Sequence, residues 1–508
     1  MATLDELRKT RFKKLEAIKK AGILAYPGKT GRTHKIEEAL RDFGKLSRSK
    51  VDETVVSSSP SLLSLRSLRS VKEVILVGRI RSLREHGGST FLDIEDGTGK
   101  IQAFLRKDRI GERGYKFFLD NFDIGDFIEV RGILFKTKKG ERTIDVANYK
   151  MLTKSLLPLP EKWHGLTDVE ERFRKRYLDL IFNKDIKEKF ILRSKIIKEL
   201  RGFMEKEGFI EVETPVLQPI YGGTEAKPFK THLNVLDMDL YLRIAPELYL
   251  KRLIVGGFEK VFEIGKCFRN EGIDRFHNPD FAEMEFYWAY ADYKEMMKFI
   301  EKMITTVVKD LFGGLRIKYE GKYINFKTPW KRIEYSTLIR NFAKTDIEIV
   351  NKDSLFKKVK ELGVEVDNKM TKFQLADAVY KKFCLPKIWE PTFIIHHPTG
   401  SIPLAKQLDG DPKKLGSIQL VVAGLEIVKA YSELNDPIKQ YENFKEQEKL
   451  FISGVEEAQR MDEDYIEALE YAMPPTAGFG MGIDRLVALL TDSHSLREVI
   501  LFPTMRPK

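Results

Sequence analysis

The chain has very little cysteine: Cys267 and Cys384 are the only two among its 508 residues. Two thiols are too few for a disulfide framework or for a zinc site built from thiolates. The sequence also has no run of eighteen apolar residues, so it offers no transmembrane helix candidate. Its first twenty residues, MATLDELRKTRFKKLEAIKK, form a charged amphipathic pattern unlike a signal peptide. We therefore expect a cytoplasmic protein with no membrane association.

Length and charge give weaker information about function. A chain of 508 residues is too long for one ordinary core, so two or three domains are expected. The 88 Lys and Arg residues exceed the 76 Asp and Glu residues, which gives a formal charge of +12. That balance suits a polyanionic partner such as nucleic acid, although a Lys-rich genome would produce the same excess.

The texture of the sequence changes several times along the chain. Five short β-rich runs separated by GTG, IGD and KKG turns favour a small closed barrel of the oligonucleotide-binding type. Later helical patterns mixed with strand-like runs favour an α+β domain around an antiparallel sheet. The predicted parts are an N-terminal helical extension (1–44), a Ser-rich linker (45–70), the barrel (71–152), a hinge (153–170) and the α+β domain (171–508) with a polar helical insertion (330–388).

Three segments of the large domain carry the chemical signal. FRNEGIDRFHNPDFAEMEFY (268–287) mixes charges of both signs with aromatic residues and fits neither a helical nor a simple strand pattern. GFGMGIDRLVALL (478–490) is a Gly-rich strand leading into a helix, where glycines admit a ligand and Arg485 could meet phosphate. GFIEVETPVLQP (208–219) is predicted to be a helix end, a strand and a Pro-ended turn, and by itself indicates ordinary packing.

Together these segments resemble motifs 1, 2 and 3 of class II aminoacyl-tRNA synthetases. RYLDLI (176–181), YGGTEAKPF (221–229), APELYLKRL (245–253) and YSELNDP (431–437) narrow the resemblance to the lysyl-tRNA synthetase family. It implies a class II catalytic domain (an antiparallel sheet flanked by helices) behind an anticodon-binding barrel with an OB fold. The implied activity is that of a lysine–tRNA ligase: lysine reacts with ATP to give an adenylate, and the lysyl group then passes to tRNA(Lys). Mg²⁺ is the implied cofactor, and a homodimer that packs around Pro215 is the implied assembly.

The resemblance also implies roles for individual residues at the ATP end of the site. Arg269 should bridge the lysine carboxylate and the α-phosphate, and Arg485 should bind the γ-phosphate; these are the two expected catalytic residues. Glu271 and Phe281 should hold the adenine, and His277 should lie near the triphosphate. Adenylate formation needs no protein nucleophile, so the protein's task is to position the reactants and neutralise charge on phosphate.

Selection of lysine requires buried acids, because a desolvated ammonium is costly without an opposite charge. The residues matched to lysine binding are Gly223, Glu247, Arg269, Glu285, Tyr287, Lys429, Tyr431 and Glu433. In the barrel, Phe91 is matched to an aromatic residue that stacks on an anticodon base, and Gln102 and Glu141 to residues that read uridine edges.

Three positions depart from the family pattern. Gln419 stands where a second metal-binding carboxylate is usual, seven residues before Glu426, which predicts fewer or weaker Mg²⁺ sites. Lys429 stands where the family usually has Asn; it could hold the substrate carboxylate, pair with an acid or repel the lysine substrate. Phe276 replaces a polar residue before His277, so a phosphate contact is expected to be missing.

Three other functions compete with lysine–tRNA ligation. An aspartyl- or asparaginyl-type synthetase would need a positive pocket, which Lys429 favours but Glu285 and Glu433 oppose. A paralogue that lysylates a protein would lack the barrel at 71–152. A degenerate RNA-binding protein would not be expected to keep both Arg269 and Arg485.

Overall fold

The computed structural model describes residues 3–47, 72–160, 168–367 and 370–507. The chain divides into two compact units, Met1–Gly165 and Leu166–Lys508. Most of the predicted Ser-rich linker and residues 161–167 of the predicted hinge lie outside the described residues. Within the described ranges, no helix is long and apolar enough to cross a membrane.

The N-terminal unit contains the predicted five-stranded barrel, closed in the order β1-β2-β3-β5-β4. Alternate residues of β1 point inward, so Val74, Leu76 and Ile80 are fully buried. Three N-terminal helices add residues to the same core, including Ile18 from the first, Ile36 from the second and Phe43 from the third. The elements are α1 (Leu4–Lys20), α2 (Ile36–Arg41), α3 (Phe43–Leu46), β1 (Val74–His86), β2 (Ser89–Glu95), β3 (Lys100–Arg106), α4 (Lys107–Ile110), α5 (Glu112–Asn121), β4 (Phe127–Lys136) and β5 (Arg142–Thr153).

The C-terminal unit is built on an eight-stranded, mainly antiparallel sheet, which confirms the predicted α+β class. Its strand order is β14-β15-β18-β19-β20-β11-β10-β6. The elements before the insertion are α6 (Val169–Arg174), α7 (Arg176–Phe182), α8 (Lys184–Lys206), β6 (Ile210–Glu211), β7 (Leu217–Gln218), β8 (Phe229–Leu233), β9 (Met238–Leu242), α9 (Glu247–Val255), β10 (Lys260–Phe268), β11 (Asp280–Ala289), α10 (Tyr293–Phe312), β12 (Arg316–Tyr319), β13 (Lys322–Asn325) and β14 (Lys331–Glu334).

The remaining elements complete the sheet and its helical layers. They are α11 (Tyr335–Ala343), α12 (Lys352–Glu361), α13 (Lys372–Val379), β15 (Thr392–Ile395), β16 (Gln407–Leu408), β17 (Asp411–Leu415), β18 (Ser417–Val422), β19 (Leu425–Ser432), α14 (Pro437–Ile452), α15 (Glu463–Glu470), β20 (Thr476–Gly482), α16 (Ile483–Leu490) and α17 (Leu496–Val499). A one-turn π-helix, Tyr380–Cys384, follows α13.

Strand β11 explains the unusual composition of residues 268–287. It pairs with β10 along its length, with Phe268 opposite Asp280, and the residues between them form a loop. Met284 and Phe286 point to the main core, where they pack with residues of α8 and α10. Glu285 and Tyr287 point to the other face. The segment therefore alternates between a core face and a cavity face, as a strand should.

The predicted insertion is partly continuous with the sheet. Strand β14 joins the sheet parallel to β15, and the helical part begins only at Tyr335. The inserted helices form a core of their own that also includes Ile394 and Val421 from the sheet. The insertion is therefore anchored on the sheet edge through shared apolar packing.

Candidate active site

A cavity of about 780 Å³ lies on the face of the sheet formed by β11, β19 and β20. The predicted residues that line it are Gly223, Glu247, Arg269, Glu271, His277, Phe281, Glu285, Tyr287, Gln419, Glu426, Lys429, Tyr431 and Arg485. Strand pairing brings these distant segments together, since β20 lies between β19 and β11. The cavity has a buried acidic end and an end rich in arginine.

The acidic end is held by a short hydrogen-bond network. The Tyr287 hydroxyl donates to Glu285 Oε2 at 3.1 Å, and the Tyr431 hydroxyl donates to Glu247 Oε1 at 2.8 Å. All four side chains are buried. Because both tyrosines donate, the carboxylates keep lone pairs for a cation.

Glu433, which was also predicted to bind the lysine ammonium, lies behind the residues that line the cavity and is only 1% exposed. Its carboxylate forms an ion pair with Lys251, whose Nζ is 2.6 Å from Glu247 Oε1. Lys251 is fully buried on α9. Sequence reasoning missed Lys251, although its position four residues after Glu247 on a helix is the spacing of a side-chain pair.

Burial has raised the pKa values of two acids at this end. Desolvation, reinforced by the neighbouring Glu283 and Glu247, raises the pKa of Glu285 well above its usual range. Desolvation also raises the pKa of Glu433, although Lys251 acts in the opposite direction. The acids at this end thus outnumber the buried ammonium of Lys251, which pairs with Glu247 and Glu433.

Two glycines leave room at the acidic end. Gly223 has a φ of +93°, and a Cβ there would lie 3.0 Å from the Cβ atoms of Ala245 and Glu247. A Cβ on Gly478 would overlap Glu433 Oε1 and come within 2.6 Å of Tyr287 Cε1. Larger residues are therefore disfavoured at Gly223 by its positive φ and the two close Cβ atoms, and at Gly478 by Glu433 and Tyr287.

The opposite end of the cavity holds the two predicted catalytic arginines. The Arg269 guanidinium lies 4.8 Å from the Phe281 ring centroid and 3.7 Å from Glu283 Oε2. Arg485 donates to the Glu426 carbonyl at 3.3 Å and lies 3.2 Å from His277 Nε2. Glu271 is exposed at the mouth. This end can therefore offer two guanidinium groups and an aromatic face to a nucleotide.

The expected metal site has only one carboxylate. Gln419 donates from Nε2 to Glu426 Oε2, and its Oε1 accepts a 2.6 Å hydrogen bond from the Tyr380 hydroxyl. Among the described residues no group of three His, Cys, Asp or Glu side chains could hold a metal ion. Of the two residues expected to hold metal, only Glu426 is a carboxylate, and Gln419 is hydrogen-bonded to it and to Tyr380.

The residues of the insertion that reach this end were not anticipated. Tyr380 belongs to the π-helix, and its neighbour Lys381 lines the cavity with Nζ 2.7 Å from Asp377. Lys429 is opposite Gln419 in the β18–β19 register and is exposed to the cavity. The sequence did not indicate that Tyr380 and Lys381 reach the cavity, because a one-turn π-helix has no periodic pattern.

Phe276, the third departure from the family pattern, has a structural explanation. Its ring packs against the main hydrophobic core, and the Arg275 guanidinium lies 5.0 Å from the ring centroid. The side chain therefore fixes the loop between β10 and β11 by packing. No polar group is needed for that purpose.

The barrel brings two of its three predicted nucleic-acid residues onto one face. Phe91 of β2 stacks on Phe104 of β3, with ring centroids 4.3 Å apart. Gln102 lies two residues before Phe104 on β3, so the Gln102 and Phe104 side chains point to the same outer face. Gln102 Oε1 accepts a 3.0 Å hydrogen bond from Thr143. Glu141 is exposed in the turn before β5. The outer face therefore presents an aromatic surface beside polar groups.

Comparison with known proteins matches both units to families. Residues 168–506 match the family described as tRNA synthetases class II (D, K and N). Residues 74–152 match the family described as OB-fold nucleic acid binding domain.

Full-length relatives agree with these matches. A lysine–tRNA ligase from Carboxydothermus hydrogenoformans is 49% identical over 99% of each chain. One from Thermotoga maritima is 45% identical over 99% of this chain and 97% of its own length. One from Aquifex aeolicus is 51% identical over 86% of this chain and 74% of its own.

Proposed function

Because this chain belongs to the lysine–tRNA ligase family of class II tRNA synthetases, it joins lysine to tRNA, and we propose that lysine and ATP react in the cavity described above. The observation that carries the proposal is the polarity of that cavity. Buried acids, including Glu247 and Glu285, stand at one end, and Arg269 and Arg485 stand at the other. A diamino acid and a triphosphate need those opposite charges.

The reaction that suits this arrangement is an in-line displacement at phosphorus. A lysine carboxylate oxygen attacks the α-phosphorus of ATP, the bond from that phosphorus to the bridging oxygen breaks, and pyrophosphate leaves. Arg269 would hold the carboxylate and the α-phosphate together, and Arg485 would bind the γ-phosphate beside His277. Fixed guanidinium groups stabilise the transition state because they do not have to reorganise as charge moves.

The acidic end would select lysine by charge. Glu285, supported by the Tyr287 hydroxyl, would bind the side-chain ammonium, and Glu247 with Gly223 would bind the α-amino group. An amino acid without the second ammonium would leave a buried carboxylate unpaired, a penalty that discriminates strongly. The aspartate or asparagine alternative is not favoured, since those side chains carry no cation for Glu285. Phe281 would stack on the adenine and Glu271 would hold its edge.

Mg²⁺, which the family uses with ATP, fits this site only as a partner of the phosphates. Glu426 would hold the Mg²⁺ ion together with phosphate oxygens and water, because Gln419 is neutral and already accepts a hydrogen bond from Tyr380. Such an ion supplies charge neutralisation. We expect weaker metal binding by the free protein than two carboxylates would give.

The barrel would bind the anticodon of tRNA(Lys). Phe91 would stack on one base, and Gln102 and Glu141 would accept or donate at uridine edges. Stacking of a base on an aromatic ring is typically worth ~1–3 kcal/mol. These substrates also support a cytoplasmic location.

We also propose a homodimer built on the segment around Pro215. Ile210, Val216 and Leu217 lie in this segment and are exposed. Exposed apolar patches of this kind are typical of protein interfaces. Sedimentation at micromolar concentration tests the assembly: the wild type should be dimeric and Val216→Glu more monomeric, and a monomeric wild type contradicts the proposal.

The activity is tested by ATP–pyrophosphate exchange with lysine, aspartate or asparagine, followed by charging of tRNA. Only lysine should support exchange, and Glu285→Gln should raise the KM for lysine while leaving the KM for ATP near that of the wild type. Phe91→Ala is the matched control for the barrel, since it should impair charging and leave exchange intact. Exchange with aspartate, or exchange that needs no amino acid, would refute the proposal.

A further inference from the structure

The acidic end of the cavity contains a lysine of the protein's own. Lys251 Nζ is 2.6 Å from Glu247 Oε1 and forms an ion pair with Glu433, and none of its side chain is exposed. The rings of Tyr287, Tyr431 and Tyr465 surround the ammonium with centroids 5.8–5.9 Å away. Burying an ammonium this deeply is unfavourable unless acids compensate it.

The buried charges at this end can be counted. Glu247, Glu285 and Glu433 are each at most 5% exposed, and Lys251 is the cation that contacts two of them. Glu283, also nearby, lies against Arg269 and is offset by it. With all groups ionised, three acids and one ammonium leave two negative charges.

The substrate proposed above carries two ammonium groups. We propose that Lys251 is a positioning residue for lysine selection: its ammonium fixes Glu247 and Glu433 and cancels one buried carboxylate, which leaves two negative charges for the two ammonium groups of lysine. This inference rests on the proposed function of the cavity. It assigns the balance of charge, rather than the number of acids alone, as the basis of selectivity.

The pKa values of the buried groups agree with this count of charges. Burial and neighbouring acids raise the pKa of Glu285, and burial raises that of Glu433. The acids Glu247 and Glu433 raise the pKa of Lys251 above its ordinary value, although desolvation lowers it. Lys251 therefore stays charged. Glu285 and Glu433 keep their protons to a higher pH than exposed carboxyl groups do.

Three variants change the count in different ways. Glu433→Gln leaves two acids and one ammonium, a charge of minus one. Lys251→Met leaves three acids, a charge of minus three when all are ionised, with Glu433 unpaired; a proton held among these acids at neutral pH then competes with the ammonium groups of lysine. The double variant Lys251→Met/Glu433→Gln leaves two acids and restores minus two; because it removes both partners of a buried pair, it should also fold well.

The measurement is the KM for lysine in ATP–pyrophosphate exchange at saturating ATP. Each single variant should raise this KM by at least about tenfold. The double variant should recover at least about tenfold relative to Glu433→Gln, with the KM for ATP unchanged. Arg252→Met is the matched control on the same helix, because Arg252 pairs with Asp462 rather than with the cavity acids; its KM for lysine should match that of the wild type.

A second readout separates charge from packing. In Lys251→Met an extra carboxyl group should be protonated at neutral pH, so calorimetry in buffers of different ionisation enthalpy should show more protons released per lysine bound. Its KM defect should shrink between pH 7 and pH 9, and Lys251→Arg should restore most of the affinity. A double variant no better than Glu433→Gln, or a Lys251→Met defect independent of pH, overturns the inference. Failure of the wild type to use lysine overturns the proposed function instead.

Discussion

Replacement of Gly478 by alanine is the most direct test of the acidic end. The added Cβ would overlap Glu433 Oε1 and lie 2.6 Å from Tyr287 Cε1, closer than such atoms approach in proteins. Neither side chain is free to retreat: Tyr287 is bonded to Glu285, and Glu433 is paired with Lys251. We therefore expect the substitution to displace the acid rather than be absorbed.

The magnitude follows from what is displaced. Overpacking of a filled interior costs about 1–3 kcal/mol, and separating a buried charge from its partner costs about 3–5 kcal/mol. A comparable loss of ammonium binding would weaken lysine affinity by more than about 100-fold, since each 1.4 kcal/mol is tenfold. The KM for ATP should change little, because a Cβ on Gly478 meets Glu433 and Tyr287 at the acidic end, whereas Arg485 lies on α16.

Two assays measure this effect: the KM for lysine in pyrophosphate exchange and the midpoint of thermal unfolding. Gly480→Ala is the control for folding, because its Cβ would lie no closer than 3.7 Å to any neighbour in the protein. Its unfolding midpoint should equal that of the wild type. A Gly478→Ala protein with wild-type stability and lysine affinity within tenfold would refute the placement of Glu433 beside the lysine site.

Three further predictions concern other parts of the molecule. Phe91→Ala should raise the KM for tRNA in charging by about 5–150-fold, the equivalent of ~1–3 kcal/mol of stacking, with no effect on pyrophosphate exchange. Lys429→Asn should change lysine affinity by less than about tenfold, and a larger loss in the same exchange assay would give Lys429 a dedicated role. Burial lowers the pKa of His397 to about 3, with Lys429 and His396 acting in the same direction. Below about pH 6.5 His397 therefore binds a proton in the unfolded chain but not in the folded one. The free energy of unfolding falls by about 2 kcal/mol between about pH 6.5 and about pH 5. His397→Gln should remove this part of the acid sensitivity in denaturant unfolding, and an unchanged pH dependence would contradict it.

Much of the fold was predictable because its signals are local. The barrel strands alternate apolar and polar residues between turn signals, and α8 and α10 have clear helical patterns, so both units were anticipated. A strand was also predicted within residues 208–219, and β6 lies there, although only Ile210 and Glu211 pair.

The site divides in the same way. Residues within motifs, such as Glu285 and Arg485, were predictable because their segments are distinctive. Lys251, Tyr380 and Lys381 were missed, because their roles depend on which distant side chains they meet. Phe276 appeared as an anomaly in the sequence, yet packing against the core accounts for it.

The hydrogen bond from Tyr380 to Gln419 has a consequence for exchanging parts between related enzymes. It links the π-helix of the insertion to a central strand at the point where a second acid would otherwise stand. Residues 335–388 are therefore not an interchangeable module. A chimera that received this segment from a relative with an acid at position 419 would bring a partner evolved for a different neighbour, so the segment and residue 419 have to be transplanted together.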